Sequence, residues 1–153
     1  MSASVLFVCL GNICRSPMAE AALRAEAGRA RISIEVDSAG TGDWHVGRPP
    51  DPRAQAVALR NGFDISGYSG RQVTAQDFYR FDFIFALDSE NLANLRRLQP
   101  ATGKAELRLL MDLVPGREGT DVTDPYFGDA AGFDVTWDDV TRAARAIVQR
   151  LTA

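Results

Sequence analysis

The chain carries little that is soft enough to hold a metal: one His and two Cys in 153 residues. A structural zinc site needs about four such ligands, and a small secreted domain stapled by disulfides needs more Cys, so neither class fits. Basic charge is not in excess either. Seventeen Lys and Arg against 20 Asp and Glu leave a net charge of -3, which makes no long-range field able to gather nucleic acid or an anionic membrane surface. Any anion must be held locally. Long apolar runs are also missing: Met1-Ser-Ala-Ser before Val5 to Leu10 has neither the basic flank nor the length of a signal peptide, and nothing elsewhere approaches a membrane span. The expectation is a cytoplasmic protein with no nucleic-acid or membrane partner. Gly (13) and Pro (7) are too few, and apolar residues at 46% too many, for a disordered or collagen-like chain. What is left is one globular domain over residues 1–153, large enough to build its own core.

Short apolar runs alternate with helical segments along that domain. Val5 to Cys9 is continuous, β-branched and aromatic, the pattern of a strand buried on both faces of a parallel sheet. After Gly11-Asn12, Ser16 offers a capping hydroxyl, Pro17 suits a first helical position, and Met18 to Ala27 reads as helix ended by Gly28. Further strands are expected at Ile32–Val36, Phe81–Leu87 and Glu106–Met111, and further helices at Pro52–Arg60, Asp88–Leu98 and Thr136–Leu151. This order predicts an α/β, three-layer, doubly wound fold: a central, roughly four-stranded parallel sheet flanked by helices, with its crevice at the carboxyl ends of the strands. Gly40 to Pro52 and Val114 to Gly132 are long enough to wall such a crevice.

Both cysteines fall in Cys9-Leu-Gly-Asn-Ile-Cys14-Arg15-Ser16, at the end of the first expected strand. Backbone N–H groups of a tight loop and a helix N-terminus converge on an anion there, and the dipole favours negative charge. The planar fork of Arg15 can grip two phosphate oxygens and hold them harder as charge gathers on them. That setting favours the ionised, nucleophilic form of Cys9. Ser16 can either donate to that sulfur or cap the helix. A bare CX5R match is weak evidence in a chain with this many basic residues, and a buried structural Cys beside an ordinary helix-start Arg is the bland alternative. The surrounding strand, Gly-Asn, Ser-Pro and helix favour the phosphate reading.

Val5-Leu-Phe-Val-Cys-Leu-Gly-Asn-Ile-Cys-Arg-Ser-Pro-Met-Ala-Glu20 resembles the N-terminus of the low-molecular-weight protein tyrosine phosphatases. Asp37-Ser-Ala-Gly-Thr41, Asp43-Trp-His-Val-Gly47, Arg71-Gln72, Asp77-Phe78, Asp88 and Asp124-Pro-Tyr-Phe127 follow in that family's order. The resemblance implies metal-independent, cofactor-free hydrolysis of phosphotyrosine in proteins or peptides, with Cys9 as nucleophile, Arg15 as phosphate clamp and Asp124 as acid and base. It places Leu10, Gly11, Asn12, Ile13, Cys14, Ser16, Trp44 and Tyr126 against the substrate, and phosphate as product. It makes Asn12 and Ser38 supports of the loop, and Cys14 a redox partner of Cys9. A monomer or weak dimer is expected. Tyr68 departs from the pattern: it stands where many members carry a His behind the loop, and either it bonds Asn12 instead or that support is missing. On residue type alone Asp124 reads as a turn former, Asp88 as a helix cap and His45 as a solvated loop residue.

Three other activities fit less well. Thiol-dependent arsenate reductases share the loop but need Cys residues beyond Cys9 and Cys14. Phosphoarginine phosphatases typically carry Thr where this chain has Ile13. A silent phosphotyrosine-binding module would need neither Cys9 nor Asp124.

Overall fold

A computed structural model describes residues 2–153. Four parallel strands, β1 (Ala3–Cys9), β2 (Ile34–Gly40), β3 (Phe83–Ala86) and β4 (Glu106–Leu109), form one sheet in the order β2-β1-β3-β4. The continuous apolar run makes β1 the central strand, because it has no polar face to turn to water. Val5, Phe7 and Cys9 face one layer, packed by α1 (Arg15–Ala30), α2 (Pro52–Arg60) and α5 (Ala130–Thr152). Leu6 and Val8 face the other, which holds Phe78 of α3 (Asp77–Arg80), Phe81 just after it, and Leu95 of α4 (Ser89–Leu98). Each Phe, Leu or Ile fully buried this way contributes about 1.5–3 kcal/mol.

Apart from the short α3, which was not expected, the departures from expectation concern ends of elements. Helix α1 starts at Arg15, so Ser16 is already inside it and caps nothing; the N-cap is Cys14, which makes no side-chain cap bond. Strand β2 runs to Gly40 instead of stopping at Val36. In that added stretch Ser38 is polar because its side chain serves the loop after β1, as shown below. Strand β3 is shorter than the apolar run around it, and β4 gives way at Leu110 to a 3-10 turn over Leu110–Leu113. Helix α5 begins at Ala130, ahead of the expected Thr136, through Gly132 and Asp134, which weaken the helical signal without breaking the helix.

These strands end together. Thr41 N donates to Cys9 O and Gly42 N to Leu10 O, laying the chain after β2 along the loop after β1. Gly40 is required at that crossing: a Cβ there would lie 2.8 Å from Leu10 O and 3.1 Å from Asn12 N. Beyond β3, Leu87 N donates to Val8 O and Val122 N to Leu87 O. That brings the segment leading to Asp124 up to the same end of the sheet.

Candidate active site

The loop Leu10–Cys14 turns β1 into α1 through Asn12, whose φ of 57° lies in the left-handed region. A non-glycine residue held there costs about 1–3 kcal/mol unless its surroundings fix it. Here they do. Asn12 Oδ1 accepts from Arg71 N at 3.0 Å, while Nδ2 donates to Ser16 Oγ at 2.8 Å and to Ser38 Oγ at 3.0 Å. The Arg71 N–H needs an acceptor, which settles which end of the amide is oxygen. Ser38 Oγ then donates to Glu20 Oε1 at 2.8 Å, and Glu20 Oε2 takes two N–H groups of Arg24, at 2.8 and 3.2 Å. Burial pushes the Glu20 carboxyl above its ordinary range, with Arg24 and Ser38 opposing it.

The polarity of this chain of bonds reaches the sulfur. Both protons of Asn12 Nδ2 are spent on the serines, so Ser16 Oγ is an acceptor on that side and its own proton is free for Cys9 Sγ, 3.0 Å away. The competing carbonyl, Ala39 O, is farther at 3.4 Å. Toward an ionised Cys9, which can only accept, Ser16 is the donor. Cys14, by contrast, has its thiol pushed far up by burial, then by Asp51 and by Cys9 itself, and stays protonated.

Arg15 is held just as firmly. Its side chain is 3% exposed, with Nη1 donating to Asp88 Oδ2 at 2.6 Å and to Val122 O at 3.1 Å. Burial alone would lower its pKa, but Cys9 and Asp88 outweigh that and keep the guanidinium charged. The other oxygen of Asp88 accepts from Asn91 N at 2.7 Å, so one carboxylate caps α4 and anchors the guanidinium. Asp124 stands on the remaining side, its Oδ2 3.6 Å from Arg15 Nη2. Its Oδ1 accepts from Tyr126 N at 3.1 Å. Asp124 is thus a turn former and a cleft residue together.

Cys9, Arg15 and Asp124 meet at a cleft of about 130 Å³. Leu10, Gly11, Ile13 and Cys14 line its base, and Trp44, His45, Tyr126 and Phe127 its walls. Trp44 at 68% and Phe127 at 93% exposure are no core residues. Several expectations are narrowed. The side chains of Asn12 and Ser16 are buried beneath the loop as its scaffold, which leaves only their backbone for the substrate contacts expected of them. Tyr68 makes no hydrogen bond to Asn12, whose side-chain contacts are all taken; it borders a small cavity behind the loop with Asn12, Glu20 and Ser38. His45 is not a solvated loop residue but a cleft wall, packed so that a Cβ on Gly11 would come within 3.0 Å of its Cδ2. Asp88 does more than cap. Glu20 and Arg71 stood in the family motifs without an assigned role, since nothing in their local sequence separates them from ordinary surface charges.

A cysteine sulfur at the floor of a cleft, within hydrogen-bond reach of a hydroxyl and facing a buried guanidinium and a partly exposed carboxyl, is equipped for nucleophilic attack on an anion with acid assistance. Among the described residues no three His, Cys, Asp or Glu side chains gather as a metal-ligand set, and no helix is long and apolar enough to cross a membrane. Compared with known proteins, residues 4–153 match the family model described as low molecular weight phosphotyrosine protein phosphatase. The chain belongs to that family. The phosphatase relatives include the low molecular weight phosphotyrosine protein phosphatase of Schizosaccharomyces pombe, 46% identical over 84% of each chain. Among solved structures, the low molecular weight phosphotyrosine phosphatase of Vibrio cholerae O395 is 38% identical with a TM-score of 0.91, covering 99% of this chain and 97% of that one. A Drosophila arginine phosphatase is similarly alike in fold, at 34% identity and a TM-score of 0.91 over 97% and 98%.

Proposed function

We propose that the chain hydrolyses phosphotyrosine monoesters in proteins or peptides through a phosphocysteine intermediate. The observation that carries this reading is the convergence of Cys9, Arg15 and Asp124 on one cleft walled by Trp44 and Tyr126. Cys9 Sγ attacks phosphorus and the bond from phosphorus to the tyrosine oxygen breaks. Asp124 gives its proton to the departing phenolate. Water then attacks the phosphocysteine, Asp124 takes the proton back, and phosphate leaves with the Cys9 electron pair restored to sulfur. Arg15 grips two phosphoryl oxygens throughout, and the backbone of residues 10–15 holds the rest. Ser16 supports the sulfur each time it carries negative charge, as nucleophile and as leaving group. The chemistry needs no metal ion, because the guanidinium and the helix N-terminus supply the positive charge.

A tyrosine ester is long and flat enough to reach the floor between aromatic walls, where a serine ester is too short. Phosphoarginine is the second reading, favoured by the likeness to the Drosophila arginine phosphatase and opposed by the bulk of Ile13 in the cleft base. If peroxide has first oxidised Cys9 to a sulfenic acid, Cys14 is the neighbouring thiol that condenses with it, releasing water and forming a reversible disulfide. The protein works as a monomer or weak dimer in the cytoplasm.

Turnover of p-nitrophenyl phosphate without added metal tests the reading, with a phosphotyrosine and a phosphoarginine peptide run in parallel. Wild type is expected to cleave p-nitrophenyl phosphate and the phosphotyrosine peptide, and Cys9→Ser neither. Acid-quenched wild type should carry phosphate on Cys9. Activity retained in Cys9→Ser ends the covalent mechanism, and a preference for phosphoarginine replaces the substrate.

A further inference from the structure

Asp124 must be placed closely to hand over a proton; Val122 and Thr123 before it are tied to Leu87, Arg15 and Thr136, but the turn after it makes few bonds to other elements. Among the described residues, the hydrogen bonds that reach 125–128 from another element come from one side chain, Arg53 at the start of α2. Its Nη2 donates to Tyr126 O at 2.9 Å and its Nη1 to Gly128 O at 3.2 Å. Its guanidinium also lies 5.6 Å from the Tyr126 ring centre and 4.5 Å from that of Phe133, in the first turn of α5. The same group is aimed by Asp51, whose Oδ1 accepts from Arg53 Nε at 3.1 Å and whose Oδ2 accepts from Nη2 at 3.0 Å. Asp51 is itself tied to the other half of the site, because its backbone N donates to Ile13 O at 2.8 Å.

We propose that Asp51 and Arg53 form a strap joining the phosphate loop to the acid loop, and that Arg53 is a positioning residue fixing how far Asp124 stands from the leaving oxygen. The path runs from Ile13 through Asp51 and Arg53 to the carbonyls on either side of Phe127. A partly exposed ion pair adds little stability by itself. The geometry fits orientation better: a planar fork bonded to two carbonyls two residues apart fixes both the position and the tilt of the turn. Lys, a point donor, cannot reproduce both bonds.

The strap rests on the reading of Asp124 as the acid, and the experiment separates the two. For wild type, Arg53→Ala, Arg53→Lys and Asp124→Ala, kcat/KM is measured with p-nitrophenyl phosphate, which needs little help in departing, and with phenyl phosphate, which needs a proton. The ratio of the two values within one preparation cancels the fraction of folded enzyme, so a destabilised variant still gives an answer. General acid assistance contributes about 10²–10⁴-fold, so Asp124→Ala should raise the ratio by about that factor. Arg53→Ala should raise it about tenfold by misplacing the same carboxyl, and Arg53→Lys by less. In Arg53→Ala/Asp124→Ala the two effects should not multiply, because they act on one proton transfer. A ratio raised by Asp124→Ala but unchanged by Arg53→Ala overturns the strap alone. A ratio unchanged in Asp124→Ala overturns the acid assignment and the strap with it.

Discussion

The two halves of the site are held by different means. On the phosphate side, the strained Asn12 is fixed by three side-chain hydrogen bonds, Ser38 and Glu20 continue the chain into α1, and Arg15 is buried against Asp88. Removing one bond there leaves others to hold the shape. On the acid side, Asp124 is 37% exposed in its side chain, and the turn that follows it hangs on Arg53. The difference matches the tasks. The phosphate side binds the same dianion at every step and gains from rigidity. In the proposed mechanism the acid side admits a protein-borne tyrosine, changes protonation state and releases product, which a lightly tied loop allows.

The comparison is broken most severely at the guanidinium. Arg15→Lys keeps a positive charge but loses the bidentate grip, and a drop in kcat of about 10³-fold is expected. A kcat within a few-fold of wild type would mean that the backbone of the loop, not Arg15, carries the charge that gathers in the transition state. Next is its anchor. Asp88→Ala leaves a buried guanidinium without its partner and α4 without its cap, so a stability loss of about 3–5 kcal/mol by urea unfolding is expected. Asp88→Asn keeps the cap and should lose activity with much less stability, separating the two jobs of that carboxylate.

Ser38→Ala tests whether the phosphate side is as redundant as its bond count suggests. It removes one acceptor of Asn12 and the donor to Glu20, which remains paired with Arg24. A loss of about 1–3 kcal/mol is expected for the polar groups left unpaired. The remaining bonds to Asn12 should keep kcat within about tenfold of wild type. A far larger fall in kcat would show that the loop depends on every link, and the contrast with the acid side would disappear.

How much of this could be read along the chain depended on how local the cause was. Helix α2 has the expected bounds, Pro52 to Arg60, because Pro52 in the first turn and Asn61-Gly62 after the last mark its ends within a few residues. Central β1 was legible from its apolar run. Residues that hold the site were less so: Arg15 meets Asp88 across 73 positions, Asn12 meets Ser38 across 26, and Ser38 meets Glu20 across 18. Locally Glu20 is one more acid on a helix and Asp88 an ordinary cap. The family resemblance supplied Asp124 and the pairing of Asn12 with Ser38, but it could not say what Tyr68 touches, since a residue's identity in a motif does not say which side of the loop it faces. The start of α5 was lost for a simpler reason: Gly132 and Asp134 are poor helix formers that the packing of Phe133 into the core overrides.

The smallest effect expected is also the most specific to the strap. Hydrogen bonds from Arg53 hold the Asp51 carboxyl below its ordinary range, against the opposite pull of burial. Asp51 therefore binds its proton more weakly folded than unfolded, and the stability it lends is present above about pH 3.9, the ordinary value for Asp, and lost as pH falls below it. Asp51→Asn is the variant of choice, because Asn caps a helix about as well as Asp and only the charge is removed. Near pH 6 the variant should melt a few degrees below wild type, consistent with a difference under about 1 kcal/mol. Below about pH 3.9 the two melting curves should converge. If the gap instead persists unchanged into acid, Asp51 acts through its backbone and cap alone, and the phosphate loop and the acid loop are not coupled through its charge.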